Sequence, residues 1–206
     1  MCGIVGYIGK EQAAPILIEG LSRLEYRGYD SAGVAVFDAE SGSLAVHKAK
    51  GRLQVLSEQL HGGADLDSTV GVGHTRWATH GAPSDINSHP QMSRSGKIAV
   101  VHNGIIENYT ELKGFLQSKG VPFVSETDTE VVAQLIEYFY DGDLLQAVGR
   151  VLRRIQGAYA RPGLARRGIR RSLRFSPHLV VPPDRRALAL LMGCAHGPPF
   201  PLRYIG

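Results

Sequence analysis

The chain of 206 residues reads as an α+β protein, and three observations point there. Strand-like runs outnumber helical ones in the first hundred residues. Helical periodicity then dominates from Tyr109 to Ile155. The early strands also lack the regular intervening helices that a βαβ sheet needs.

Each element has a local reason. Gly3–Ile8 alternates glycine with Ile, Val and Tyr and reads as a strand. Ala14–Leu24 reads as a helix with Leu17, Leu21 and Leu24 on one face and Pro15 in its first turn. Turn chemistry follows over Arg27–Gly33. Val34–Phe37 and Ser43–His47 are strands joined by a turn through Asp38 and Gly42, and Leu53–Leu60 is a short amphipathic helix before a Gly/Asp-rich loop, His61–Ser68. Val70–Gly73 and Ile98–His102 are buried strands, each running into a polar cluster. Tyr109–Lys119 is a helix stopped by Gly120, and Val121–Val124 a short strand. Thr127 or Asp128 caps the next helix, with Glu130 in its first turn and Val131, Val132, Leu135, Ile136 and Phe139 inward. The last helix spans Leu144–Ile155 with Leu145, Val148, Leu152 and Ile155 inward, and Gly157–Ala160 opens a further strand.

No apolar run approaches the roughly 18 residues needed to cross a bilayer, and the start lacks the basic, apolar pattern of a secretory signal. Two cysteines, Cys2 and Cys194, make no disulfide framework, so a reducing, cytoplasmic setting is expected. The net charge of +4 hides an uneven distribution. Residues 1–160 hold 14 basic and 18 acidic side chains, a net of −4, whereas 161–206 hold 9 arginines against Asp184, a net of +8. A mildly acidic body therefore carries a basic, Arg/Pro-rich tail with no clear periodicity.

Cys2 follows the initiator methionine directly. Removal of Met1 would leave a thiol and a free α-amine on one residue. That amine titrates near about pH 8, low enough to serve as a base. Cys2 is thus either a nucleophile or a small apolar residue opening a strand.

Three polar clusters extend the question. His74–Gly81 holds the single tryptophan, Trp77, beside Arg76, whose planar fork suits a carboxylate as well as a surface acid. His74, His80, His89 and His102 follow no zinc spacing, so no metal or other cofactor is expected and the histidines read as structural hydrogen-bonders. Asn103–Gly104 after a strand is either a turn or an oxyanion hole made by a side-chain amide and an unobstructed backbone N–H. Ser125–Glu130 is a helix N-cap in which one carboxylate can instead hold an ammonium. An amino acid with a side-chain amide answers to all of them, with its carboxylate on Arg76, its ammonium on Asp128 and its amide carbon at Cys2.

With these stretches and Glu25–Gly33 in order, the chain resembles the N-terminal-nucleophile glutamine amidotransferases over about residues 1–160. Within them it resembles the glutaminase domains of the aminotransferases that use fructose 6-phosphate. The resemblance implies a four-layer αββα fold, incomplete at its C-terminal end, with L-glutamine as substrate. It implies that Cys2 attacks the glutamine amide with its own α-amine carrying the proton, and that a thioester and ammonia form before water releases glutamate. It further implies Arg76 on the α-carboxylate, Asp128 on the α-amino group, Trp77, Thr79 and His80 lining the pocket, Asn103 and Gly104 as the oxyanion hole, and Arg27 supporting the nucleophile region. Fructose 6-phosphate would be met only by a synthase region beyond this chain. No membrane or nucleic-acid partner is expected of the body.

Residues 161–206 fall outside the resemblance. Their abrupt charge reversal within a domain reads as a frameshifted segment, the alternative being a basic arm for nucleic acid. Two other functional readings compete with the first. One is the glutaminase half of another amidotransferase, such as the purine-pathway phosphoribosyl enzyme, against which the His74–Gly81 string argues. The other is an inactive truncated fragment with exposed sheet edges.

Overall fold

The computed structural model describes residues 2–25, 28–38, 40–78 and 81–157, and the backbone of 178–180 and 188–192. The first sheet contains β1 (Gly3–Ile8), β2 (Ser31–Asp38), β3 (Ser43–Lys50) and β4 (Val70–Arg76). Its order is β1-β4-β2-β3 and every pairing is antiparallel. Register places His74 of β4 opposite Ile4 on one side and Gly33 on the other. The second sheet contains β5 (Gln91–Met92), β6 (Ile98–His102), β7 (His178–Val180) and β8 (Leu188–Met192), in the order β5-β6-β8-β7. There β6 and β8 run parallel.

Among the described residues five α-helices cover the sheets: α1 (Ala13–Leu24), α2 (Leu53–Gln59), α3 (Tyr109–Ser118), α4 (Asp128–Phe139) and α5 (Leu144–Leu152). The layering follows from the two-residue period of the strands. On β2, Ala32, Val34 and Val36 pack with Leu17 and Leu21 of α1 and Leu53 and Leu56 of α2. The alternate residues Ala35 and Phe37 pack with Val72 of β4 and with Ala99 and Val101 of β6. On β6 the other face, Ile98 and Val100, joins the core of α3, α4 and α5. Helices, sheet, sheet and helices thus stack in four layers, with an apolar seam between the sheets. Fully buried residues such as Leu135 and Ile136 each stabilise this arrangement by roughly 1.5–3 kcal/mol through removal from water.

Several local expectations change. Val121–Val124 is no strand, because the Val124 and Ser125 N–H groups donate to the Glu130 carboxylate at 3.0 and 2.6 Å rather than to a ladder. Leu145 is 73% exposed. The inward face of α5 is instead Ala147, Val148, Val151 and Leu152, and Leu145 lies a quarter-turn off it in the first turn, just after the Asp143 cap. The strand expected from Gly157 runs into residues outside the described set, and Gly157 itself bridges Ile106. Two strands, β7 and β8, lie in the tail where the sequence shows no periodicity.

Candidate active site

The seam between the sheets ends where three strands bring polar residues together. Cys2 precedes β1, Arg76 closes β4 and Asn103 follows β6. Strand alternation aims them at one another. His74 and Arg76 share the face of β4 that carries Val72 into the seam, Cys2 shares the face of Ile4, and Asn103 continues the face of Ala99 and Val101.

Cys2 is held on several sides. The Trp77 N–H donates to its Sγ at 3.1 Å, and the Asn103 side-chain amide donates to its carbonyl at 2.7 Å. The next residue, Gly3, donates its N–H to Thr75 Oγ1 at 3.0 Å, a close approach in which a Cβ on residue 3 would stand 2.8 Å from that oxygen. Burial pushes the Cys2 thiol up. The Trp77 N–H, the chain's amino terminus and Arg76 pull it down, while Asp30 adds to the rise.

Arg76 is 4% exposed and donates through Nη2 to the Gly81 carbonyl at 3.1 Å. Burial lowers its pKa, and the negative or ionisable groups Asp30, Cys2 and Asp128 oppose that, so all three sit within electrostatic reach of the guanidinium. Asp128 is 4% exposed in the first turn of α4, and its Oδ2 accepts the Ile106 N–H at 2.7 Å. Thr127 caps that helix by accepting the Glu130 N–H at 3.4 Å.

The loop from Asn103 to Asn108 is fastened at both ends. Asn103 Oδ1 lies 2.8 Å from His74 Nε2. Gly104 has φ 151°, a conformation open mainly to glycine. Asn108 donates to the Arg154 carbonyl at 2.9 Å and accepts the Gln156 N–H at 2.8 Å, and the Glu107 N–H reaches the Gln156 carbonyl at 2.8 Å. Below the site the His74 and His89 rings pack with centroids 4.5 Å apart. His102 Nδ1 lies 3.3 Å from Thr129 Oγ1, and the His102 N–H reaches His89 Nδ1 at 3.5 Å. Burial lowers the His74 pKa to about 4 and that of His89 well below its ordinary value, so both rings are neutral at neutral pH. Among the described residues no group of three or more His, Cys, Asp or Glu side chains is arranged to hold a metal ion.

Of the residues singled out in the sequence, Cys2, Arg76, Asn103, Gly104 and Asp128 converge on this corner. Trp77 contributes its backbone N–H there, and the residue as a whole is 49% exposed. Arg27, Thr79 and His80 lie outside the described residues. Sequence reasoning missed Thr75, Asn108 and Asp30, whose carboxylate accepts the Ala78 N–H. Their signal was position alone, since all three stand inside or beside the polar clusters. A thiol beside an amide donor, with a cation and a carboxylate in reach, can add to an amide carbonyl of a small zwitterion.

Residues 50–160 match the family described as glutamine amidotransferase domain. The chain belongs to the glutamine amidotransferase family. The matched stretch includes Arg76, Trp77, Asn103, Gly104 and Asp128, and Cys2 precedes it. The chain is 54% identical over 200 residues, 97% of its length, to the glutamine–fructose-6-phosphate aminotransferase (isomerizing) of Caldanaerobacter subterraneus subsp. tengcongensis, of which it covers 31%. It is 60% identical over 160 residues, 78% of its length, to the enzyme of the same name from Clostridium tetani, of which it covers 26%. The chain therefore spans between a quarter and a third of these relatives. Among solved structures, the glutamine phosphoribosylpyrophosphate amidotransferase of B. subtilis, complexed with ADP and GMP, superposes with a TM-score of 0.65 at 29% identity. That likeness covers 77% of this chain and 34% of the B. subtilis chain.

Proposed function

We propose that the chain hydrolyses the side-chain amide of L-glutamine with Cys2 as nucleophile. The observation that carries this reading is the pair of contacts on Cys2, Trp77 N–H to Sγ at 3.1 Å and Asn103 amide to the carbonyl at 2.7 Å. After Met1 is removed, the Cys2 α-amine takes the thiol proton and Sγ adds to the amide carbon. The carbonyl π electrons move to oxygen, where the second hydrogen of the Asn103 NH2 and the Gly104 N–H receive the charge. The C–N bond then breaks, the amine returns the proton to the leaving nitrogen, and ammonia departs from a thioester. Water cleaves the thioester to glutamate. Arg76 pairs with the substrate α-carboxylate and Asp128 with its α-ammonium. Trp77 lines the pocket, and roles for Thr79, His80 and Arg27 rest on the family resemblance alone.

The higher identity to fructose-6-phosphate aminotransferases, 54% and 60%, against 29% to the phosphoribosyl enzyme, favours the former branch. On that reading the ammonia serves glucosamine 6-phosphate synthesis, and fructose 6-phosphate is bound only by a synthase region outside this chain. The reading includes a cytoplasmic setting, and no helix among the described residues is long and apolar enough to cross a membrane. It also includes a boundary near residue 160. The 160-residue match and the charge reversal support that boundary, whereas the 200-residue match and strands β7 and β8 favour a tail that continues the fold. Sequencing the coding region from independent isolates separates the two, because an unbroken frame sinks the frameshift reading.

The deciding experiment incubates the purified chain with an electrophilic glutamine analogue and locates the adduct by mass spectrometry, alongside glutamate release and a Cys2→Ala control. Attachment to a processed Cys2, with glutamate formed only by the parent chain, supports the reading. A processed N-terminus that takes no label and releases no glutamate favours an inactive fragment.

A further inference from the structure

We propose that His74 is a positioning residue, holding the Asn103 amide in the one orientation that presents its NH2 group to the nucleophile. This rests on the reading of Asn103 as oxyanion donor. The Cys2 carbonyl can only accept a hydrogen bond. The Asn103 group 2.7 Å from it must therefore be the NH2. That places the amide oxygen, also an acceptor, 2.8 Å from His74 Nε2. Nε2 must then carry a hydrogen. The assignment follows from donor and acceptor complementarity at both ends, and no choice of flip or tautomer is left.

The ring is fixed in turn. His74 is 1% exposed on β4, an inner strand of its sheet, and packs against His89. Its depressed pKa keeps one proton on the ring throughout the neutral range, so the link does not switch off there. Without that donor the Cys2 carbonyl alone is left to distinguish the two ends of the amide. A rotated amide would turn its oxygen toward the developing negative charge, replacing attraction with repulsion.

The test is steady-state glutamine hydrolysis by the full chain with Met1 removed, comparing His74→Leu, His74→Gln, Asn103→Ala and the double variant His74→Leu/Asn103→Ala. His74→Leu should lower kcat by about a hundredfold, as misplacing an oxyanion donor does, with KM within about twofold. His74→Gln, which offers an N–H at a similar reach, should restore most of the loss. In the Asn103→Ala background His74→Leu should lower kcat no further, because its effect runs through the missing amide. Independent, multiplying effects of the two changes would overturn the proposal, since a merely structural histidine behaves that way. Should His74→Leu fail to fold, His74→Gln against His74→Asn carries the test: the shorter amide cannot span the gap, and equal kcat values would overturn the proposal. A parent chain that neither hydrolyses glutamine nor takes the electrophile defeats the glutaminase reading and this inference together. An active parent with an unimpaired His74→Leu defeats the inference alone.

Discussion

The Asn103 side chain donates to the backbone carbonyl of Cys2 at 2.7 Å, across 101 positions of sequence. This bond ties the end of β6 in one sheet to the start of β1 in the other. Asn103→Asp keeps the shape but puts an acceptor where a donor is required, facing the Cys2 carbonyl. If Asn103 is the oxyanion donor proposed above, glutamine hydrolysis should fall by about 10²–10³ in kcat, measured by glutamate release.

Asp128 accepts the Ile106 N–H inside the protein, so its carboxylate supports the Asn103–Asn108 loop as well as the reading of it as an ammonium partner. Asp128→Ala leaves a buried N–H without its acceptor. Denaturant unfolding should show a loss of about 1–3 kcal/mol. The KM for glutamine should rise in the same variant, and an unchanged KM would remove Asp128 from the substrate site.

Gly33 lies under the His89 carbonyl, and a Cβ there would stand 2.2 Å from that oxygen. The obstacle is backbone, which cannot turn aside as a side chain can. Gly33→Ala should therefore destabilise the fold by at least about 1–3 kcal/mol, as overpacking does, seen as a lower Tm. The effect should reach activity too, because Gly33 pairs with His74 across β2 and β4.

Acid should weaken the fold through its buried histidines. Burial depresses the His74 pKa from 6.5 to about 4, and that of His89 falls as well. Each pKa is lower in the folded than in the unfolded chain, so its contribution is complete above the unfolded value and is lost as pH falls toward the folded one. Stability should therefore fall as pH drops from about 6.5 toward 4 through His74, and His89 should add to the loss in the same direction. Denaturant titrations across that range check it, and His74→Gln should make the slope shallower by one ring's share.

Much of the candidate site was legible because its polar residues lie in short stretches at strand ends. Cys2, Arg76, Asn103, Gly104 and Asp128 could be picked out by residue type and local spacing. Asp30, Thr75 and Asn108 could not, because each works through a backbone group dozens of positions away or through a strand partner. The apolar expectation for Leu145 failed because helical spacing fixes angles along one helix and says nothing of where its neighbours stop. Val121–Val124 has strand composition, yet its last N–H and that of Ser125 are claimed by Glu130.

By itself the sequence determined the helices, the strands β1 to β4 and β6, and most of the apolar faces, since backbone period and side-chain polarity are local properties. The tertiary structure alone decided that Cys2, His74, Arg76, Asn103 and Asp128 meet. Their meeting depends on the register of β4 against β1 and on the packing of one sheet over the other. Both are set by hydrogen bonds and buried contacts between residues far apart in the chain, which no local window contains.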